Sequence, residues 1–496
     1  MKNGEFLAID WIVLVFYLLG IFVVGAWFSK RQTSTKEFFL ASRRMHWIPI
    51  SFSIAASLLS GISFIGHPAR SFQYDSVLLV WPVAALLAAP VVVYVLLPLY
   101  RKLNVTTAYE YLEYRFGLNV RLLASSLFIA KRLVWMALVA LAPSLALSTV
   151  TGLRVEYCIC IIGVVATFYT ALGGMSAVIW TDMVQFIILT LGQVLILLLV
   201  VFKVDGGAGE VWRIGVEHQR AWMSMEFDLS QLTFWTVLIA GVAFVLSDFG
   251  ADQVTVQRLM STRNEADARL SVWAGALLKF PTVTLLVATG VALFSFYQIH
   301  PELLELSAEE YDKIVPFFVV TQLPAGISGL IVAAIFAAAM SSFDSGLNCL
   351  AATLTVDWYE RMIRPARQDA QYLAVAKRLT YVLGATVTVL AVLIYLTGIQ
   401  TIIDASNKYL GFFGGALLGV FLLGTLTRRA NGLATVIAAI LSVGGLVVLD
   451  VLQSPADGFI LHPYLYGALT CGATMLLGYL GSLITPSAPK RSVELA

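Results

Sequence analysis

The sequence predicts an all-α polytopic membrane protein of about 13 transmembrane helices, and three observations carry that reading. Apolar residues make up 59% of the 496-residue chain and charged residues only 12%, with mean hydropathy +0.85. A soluble domain carries about 25% charged residues. The apolar residues also gather into segments long enough to cross a bilayer, for which about 20 residues suffice. Finally, the basic residues concentrate in alternate short connections, which orients a membrane chain.

The spans fall near 8–28, 47–72, 76–99, 121–150, 156–172, 177–202, 232–256, 270–298, 325–355, 375–397, 402–426, 431–451 and 463–484. Met1–Phe6 lacks a basic run and 8–28 is long enough to span, so the first segment reads as a retained helix rather than a cleaved leader. Lys30, Arg31, Lys36, Arg43 and Arg44 occupy the first connection. The pattern recurs with Arg101, Lys102 and Arg115, then Arg258, Arg263 and Arg269, then Arg361, Arg364 and Arg367, then Arg428 and Arg429. The opposite connections are poor in basic residues, although 203–231 carries Lys203, Arg213 and Arg220. This places the N-terminus outside and the C-terminus inside, in agreement with an odd number of spans. One membrane domain, 1–486, is followed by a short cytoplasmic tail, 487–496, in a multi-pass protein of the plasma (inner) membrane.

Composition also narrows the function classes. The four cysteines, Cys158, Cys160, Cys349 and Cys471, all lie in apolar segments and read as buried small hydrophobes without metal-ligand spacing. The histidines at 46, 67, 218, 300 and 462 are scattered. No nucleophile–histidine arrangement or cofactor loop points to an enzyme, and a net charge of +2 spread over short loops gives no reason to expect a nucleic-acid partner.

Two spans read as poor continuous helices. The second carries Ser57, Ser60, Gly61 and Ser63 at mid-membrane, with Gly66 and Pro68 beyond. The seventh carries Ser247, Asp248, Gly250, Asp252 and Gln253. Interrupted helices at corresponding places in two halves mark the solute site of a transporter. The interruptions open segments five apart, which suggests two inverted five-helix repeats, 47–202 and 232–426. The 8–28 helix and two helices within 431–484 are then peripheral.

The ninth segment concentrates the polar chemistry. On a helix Ala338, Ser341, Ser342 and Ser345 share one face, with Asp344 beside it. Small residues of this kind also serve close helix packing, but a carboxylate at membrane depth is costly and by default paired or functional. Hydroxyl and carboxylate oxygens suit a hard cation such as Na⁺. Asp182, in the sixth span, is a further ion ligand or proton carrier. Lys131 and Arg132 in the fourth span are expected to pair with Asp182 or Asp248, or to face an anionic solute. Trp81, Trp135 and Phe64 are aromatics for packing or for the solute cavity. Asp404 and Lys408, four apart, read as an ion pair or gate on the outer side.

The stretches YEYLEYRFG (109–117), YTALGGMSAVIWTDMVQ (169–185), VQRLMSTRNEADAR (256–269), AAIFAAAMSSFDSGLN (333–348) and LGFFGGALLGVFLLG (410–424) resemble the sodium:solute symporter family. APSLAL (142–147) is similar to its iodide, monocarboxylate and vitamin subgroup, and the chain also resembles its bacterial sialic acid transporters. The resemblance implies a LeuT-type fold and sodium-coupled symport by alternating access, with Na⁺ as the coupling ion and no organic cofactor. It implies a shared sodium site on Ala56, Leu59 and Ala338 through backbone carbonyls and on Ser341 and Ser342 through hydroxyls. An additional sodium site falls on Asp182, Ser341, Asp344 and Ser345, where Asp344 replaces the family's Ser or Thr, so this second site binds sodium or a proton. The residues of a sialic-acid-type site are replaced by Leu58, Pro82 and Trp135. Candidate solute ligands are therefore Ser57, Ser60, Ser63, Trp81, Arg132, Trp135 and Gln253. The expected substrate is a small polar solute, foremost an organic anion, with a sugar, sialic acid or an amino acid as alternatives. A proton-coupled symporter and a channel are the rival readings. The lipid bilayer and the solute are the expected partners, with no obligatory protein partner.

Overall fold

In the computed structural model the chain is described over residues 6–29, 32–365, 367–397, 402–453 and 460–485, apart from the side chains of 309, 402–407 and 409. Helix is the dominant element of these residues, and every expected apolar segment lies on it. Among the described residues, ten helices are long and apolar enough to cross a membrane, or eleven if one bent pair counts as a single span. The helices that position the site are α1 (Ala8–Ser29), α2 (Trp47–Leu58), α3 (Gly61–Gln73), α4 (Val77–Leu103), α5 (Leu118–Thr151), α6 (Val155–Lys203), α7 (Phe234–Ala251), α8 (Gln253–Ser261), α9 (Glu265–Ile299) and α10 (Ile327–Thr353). They are followed by α11 (Asp369–Leu396), α12 (Ile402–Leu426), α13 (Gly432–Leu452) and α14 (Tyr466–Ile484).

The breaks have local causes. Leu59 and Ser60 are extended (φ −103°, ψ 97° and φ −93°, ψ 171°), which ends α2. The Ser60 hydroxyl then accepts from the Ser63 N–H at 3.4 Å and caps α3, as serine does at an N-cap. The two halves of the second span consequently meet at a 60° bend. In α7 the last turn, Ser247–Ala251, widens to a π-helix. Asp252 is extended (φ −82°, ψ 128°), and its carboxylate accepts from the Val254 N–H at 2.9 Å to cap α8. Gly174 (φ 59°, ψ −160°) divides α6 where the fifth and sixth spans were expected to separate. A Cβ at Gly174 would stand 2.6 Å from Gln32 Oε1, so glycine is required there for conformation and for space.

α10 is the buried axis of the bundle, packed chiefly on α6 and α5 and also on α1 and α11. Lipid tails give no hydrophobic reason for apolar helices to associate, so contact depends on close approach of small residues. Ala333, Ala334, Ala337, Ala338 and Ala339 provide it: each is at most 1% exposed, and a Cβ on Gly192 of α6 would lie 2.6 Å from that of Ala334. α3 is similarly close to α9. The Ser71 hydroxyl donates to the Val287 carbonyl at 3.1 Å, and a Cβ on Gly290 would overlap Ser71 Oγ and the Pro68 carbonyl. Large apolar side chains such as Phe16, Phe202, Val451 and Leu452 remain exposed on outward helix faces, as a lipid-facing surface requires. Cys160 shares that outward surface with Tyr157 and Val164. This corrects the expectation of four buried cysteines: only Cys158, Cys349 and Cys471 are buried, because Cys160 is on the face of α6 turned away from the bundle.

Candidate functional site

The end of α2 and the middle of α10 bring an oxygen cluster together. Because α2 stops at Leu58, its last turn is left short of N–H donors: the Ala55 and Ala56 carbonyls share the Leu59 N–H, each at 3.2 Å. The Ser341 hydroxyl lies 3.2 Å from both the Ala56 and Ala338 carbonyls, and the Ser342 hydroxyl lies 3.4 Å from the Ser57 carbonyl. Ala56, Ala338 and Ser341 are fully buried, Ser342 is 1% exposed and Leu59 5%. The donor set is neutral hard oxygen at the negative end of a helix dipole, which fits a small monovalent cation.

Beside this cluster is a second group of polar side chains, joined to it where the Ser345 hydroxyl donates to the Ser341 carbonyl at 2.5 Å. Asp182 accepts from Ser53 at 2.5 Å and pairs with Arg258 at 2.7 Å, and all three side chains are buried. Arg258 also donates to Ser53 at 2.7 Å, to the Val254 carbonyl at 2.7 Å and to the Ser345 hydroxyl. Asp344 accepts from the Tyr169 hydroxyl at 2.6 Å and the Ser345 N–H at 2.5 Å. Asp182 Oδ1 has no hydrogen-bond partner among the described residues. Two sequence expectations change here. Arg258 is not a loop cation but a fully buried side chain of α8, because the break at Asp252 turns the chain back inside the protein. Asp182 is paired with Arg258 rather than with Lys131 or Arg132.

Those two cations belong to a different quartet. Lys131 pairs with Asp248 at 2.8 Å and with Asp252 at 3.0 Å, and Arg132 pairs with Asp252 at 2.9 Å. Gly346 lets α5 approach α10 here, since a Cβ there would lie 3.2 Å from Arg132 Cδ. Lys408 pairs with Asp450 at 2.5 Å; the Asp404 side chain, and with it the expected Asp404–Lys408 pair, lies outside the described residues.

A cavity of about 440 Å³ opens above the helix breaks, between α3, α5, α7 and α9. Its size is ordinary for a small-molecule site. Of the candidate solute ligands, Ser57, Ser63, Trp81, Arg132 and Trp135 line it. Ser60 is the buried cap of α3. Gln253 ties α8 to the 104–108 connection, donating to the Thr106 carbonyl at 2.9 Å and accepting from the Ala108 N–H at 2.8 Å. Phe64 is 1% exposed and packs in an apolar cluster. Lining residues that sequence reasoning passed over are His67, Arg70, Lys279 and Tyr464. Around the mouth, burial and then the field of Arg70 push the His462 imidazole down to about 4. Asp75 is pushed up by burial, against its hydrogen bond from Val77 and the charges of Arg70 and Arg220.

An all-helical membrane bundle with two broken helices, an oxygen cluster at one break and a solute-sized cavity above it defines an ion-coupled membrane transporter. The chain matches the sodium:solute symporter family over residues 38–441 and belongs to that family. It is 34% identical over 488 residues to the sodium/sialic acid symporter NanT of Aliivibrio fischeri, covering 97% of this chain and 94% of that one. It is 32% identical over 437 residues to the sodium-dependent multivitamin transporter of Oryctolagus cuniculus, covering 86% and 68% respectively. Among solved structures, the substrate-bound outward-open state of a Na⁺-coupled sialic acid symporter aligns with a TM-score of 0.90 at 30% identity, over 98% of this chain and 100% of that one. The nucleobase-cation-symport-1 transporter Mhp1 shares the fold alone, with a TM-score of 0.58 at 15% identity, over 92% and 96% of the two chains. The protein is thus a multi-pass membrane transporter of LeuT type.

Proposed function

We propose that the chain is a sodium-coupled symporter that imports a small organic anion by alternating access. The observation that carries this reading is the joint between cavity and cation cluster: Ser57 lines the cavity, while its carbonyl and that of Ala56 meet the Ser342 and Ser341 hydroxyls. A cation held by Ala56, Leu59, Ala338, Ser341 and Ser342 would fasten the end of α2 to α10 and so shape the cavity floor. Sodium then favours the state that binds solute, and solute favours sodium in return, as linkage demands. Relatives named for sialic acid, monocarboxylate and iodide support an anion. The lining adds support through Lys279, since Lys131 and Arg132 are matched by Asp248 and Asp252.

The breaks in the second and seventh spans support two repeats, 47–202 and 232–426, flanked by peripheral helices. With the N-terminus outside, the cavity opens outward. Asp182 and Asp344 share the single cation Arg258, and Asp182 Oδ1 is free to accept. A second monovalent cation, sodium or a proton, fits there beside Ser341 and Ser345. Transport requires no organic cofactor in this scheme, and nothing in it is catalytic.

Uptake into proteoliposomes with an inward NaCl gradient, compared with KCl, tests the reading. Sodium-dependent accumulation that Ser342→Ala weakens and Asp182→Asn alters is expected. Uptake indifferent to sodium, or unchanged in the double variant, refutes the assignment; flux that never saturates favours a channel.

A further inference from the structure

Among the described residues, Lys279 is a cavity-lining cation without a carboxylate of its own: the acid whose field reaches it, Asp248, is already paired with Lys131. Lys131 and Arg132 form a closed set with Asp248 and Asp252, two positive and two negative charges within 3.0 Å contacts. Arg132, the arginine that sequence reasoning offered as a solute ligand, therefore already has its partner. Lys279 is different. It lies on α9, 7% exposed, and it lines the cavity beside α3. Among the described residues no carboxylate stands within 4.0 Å of its ammonium, and the face of Phe249 lies 5.6 Å from it, ring centroid to nitrogen. Its height is set by the tight α3–α9 contact through Ser71, Val287 and Gly290. An ammonium held at membrane depth without a counter-ion is costly. A ligand that brings a negative charge removes that cost on binding, whereas a neutral ligand of the same shape does not.

We infer that Lys279 is the anion anchor of the solute site and the residue that selects a monocarboxylate over its neutral counterpart. The carboxylate sits on the Lys279 ammonium, next to the cavity-lining Ser63 and His67 of α3. The rest of the solute occupies the aromatic side of the cavity near Trp81 and Trp135. The neutral Lys131–Arg132–Asp248–Asp252 quartet forms one wall without supplying net charge. This inference rests on the organic-anion reading and adds the group that enforces it.

The test uses the purified full chain in detergent with 150 mM NaCl or KCl (a chosen condition, on the order of physiological ionic strength). Melting temperature is titrated with lactate against lactamide, nicotinate against nicotinamide, and pantothenate against pantothenol. A ligand of the folded state raises the melting point by mass action. The expected result is sodium-dependent stabilisation by at least one acid and about 30-fold weaker binding of its neutral counterpart, the range of one charge-assisted contact. Lys279→Met should lose about the same factor for the acid while keeping the wild-type response to sodium alone, and Lys279→Arg should restore most of the affinity. Equal affinity of wild type and Lys279→Met for the acid overturns the anchor and leaves the anion reading standing. Stabilisation by neutral members only, or by no carboxylate of the panel, overturns both. Should Lys279→Met fail to fold, the wild-type comparison decides: a neutral counterpart that binds as tightly as its acid refutes the inference.

Discussion

Replacing Arg258 by methionine keeps most of the side-chain length and removes a charge that is fully buried against Asp182. The guanidinium makes a 2.7 Å contact to the carboxylate, another of 2.7 Å to Ser53, one to Ser345 and one to the Val254 carbonyl. Unit charges about 4 Å apart attract by about 4 kcal/mol at an effective dielectric constant of about 20. Removing one partner of a buried pair costs about 3–5 kcal/mol, because the other charge remains buried. Asp344 is part of the same cluster, so Arg258→Met leaves two carboxylates where one was compensated. Arg258→Met should therefore lower stability by about 3–5 kcal/mol in sodium-free buffer. Asp182→Asn in the same background should restore at least about 2 kcal/mol, since it deletes the stranded charge. The assay is a double-mutant cycle by chemical unfolding in detergent, repeated with and without sodium. Additive single effects, or an Arg258→Met cost below about 1 kcal/mol, would refute the buried-pair account.

The other predictions are shorter. Asp252→Asn strands Arg132 and leaves Lys131 with Asp248 alone, so it should cost about 3 kcal/mol and more than Asp248→Asn, by the same unfolding measurement. Gly290→Ala presses a methyl group against Ser71 Oγ and the Pro68 carbonyl, and should cost about 1–3 kcal/mol and weaken solute binding by shifting α9 against α3. Burial pulls the Glu113 carboxyl up, but hydrogen bonds from Arg361 and Arg121 outweigh it and hold the group below its ordinary value of 4.5. The stability this contributes is present above that value and is lost as pH falls through the lower folded-state value. Melting curves in acid should accordingly be flatter for Glu113→Gln than for wild type.

The helices were legible because a bilayer imposes length and apolarity on each of them, and even the two breaks followed from local residues. Ser60 and Asp252 are capping residues placed inside the expected spans, which no uninterrupted helix would need. Position along the chain misled where a break redirected the backbone. Arg258 stands with Arg263 and Arg269 near the end of a span, a pattern that ordinarily marks a cytoplasmic flank. Its burial depends on α8 turning inward after Asp252, where Asp182 waits on α6. The Lys131–Arg132 pair was similarly ambiguous, since two cations can choose among acids on several helices and only packing decides.

The cation cluster and the anion anchor differ in the same way. Ser341, Ser342 and Ser345 share a face of one helix, so spacing alone proposed the cluster, and its partners Ala56 and Leu59 came from resemblance. Lys279 is a lone cation in an apolar span, and the cost that singled out Asp344 applies to it equally. A long lysine near a helix end escapes that cost by reaching the interface, so the sequence offers no way to tell a snorkelling lysine from a captive one. The difference is made by tertiary contact: Gly290 admits the α3 backbone, Ser71 fastens it to Val287, and Lys279, two to three turns earlier on the same helix, is held at the cavity wall. What looks like a residue's own chemistry is thus a property of the helix register, which is why Gly290→Ala should disturb anion binding without touching any group that contacts the anion.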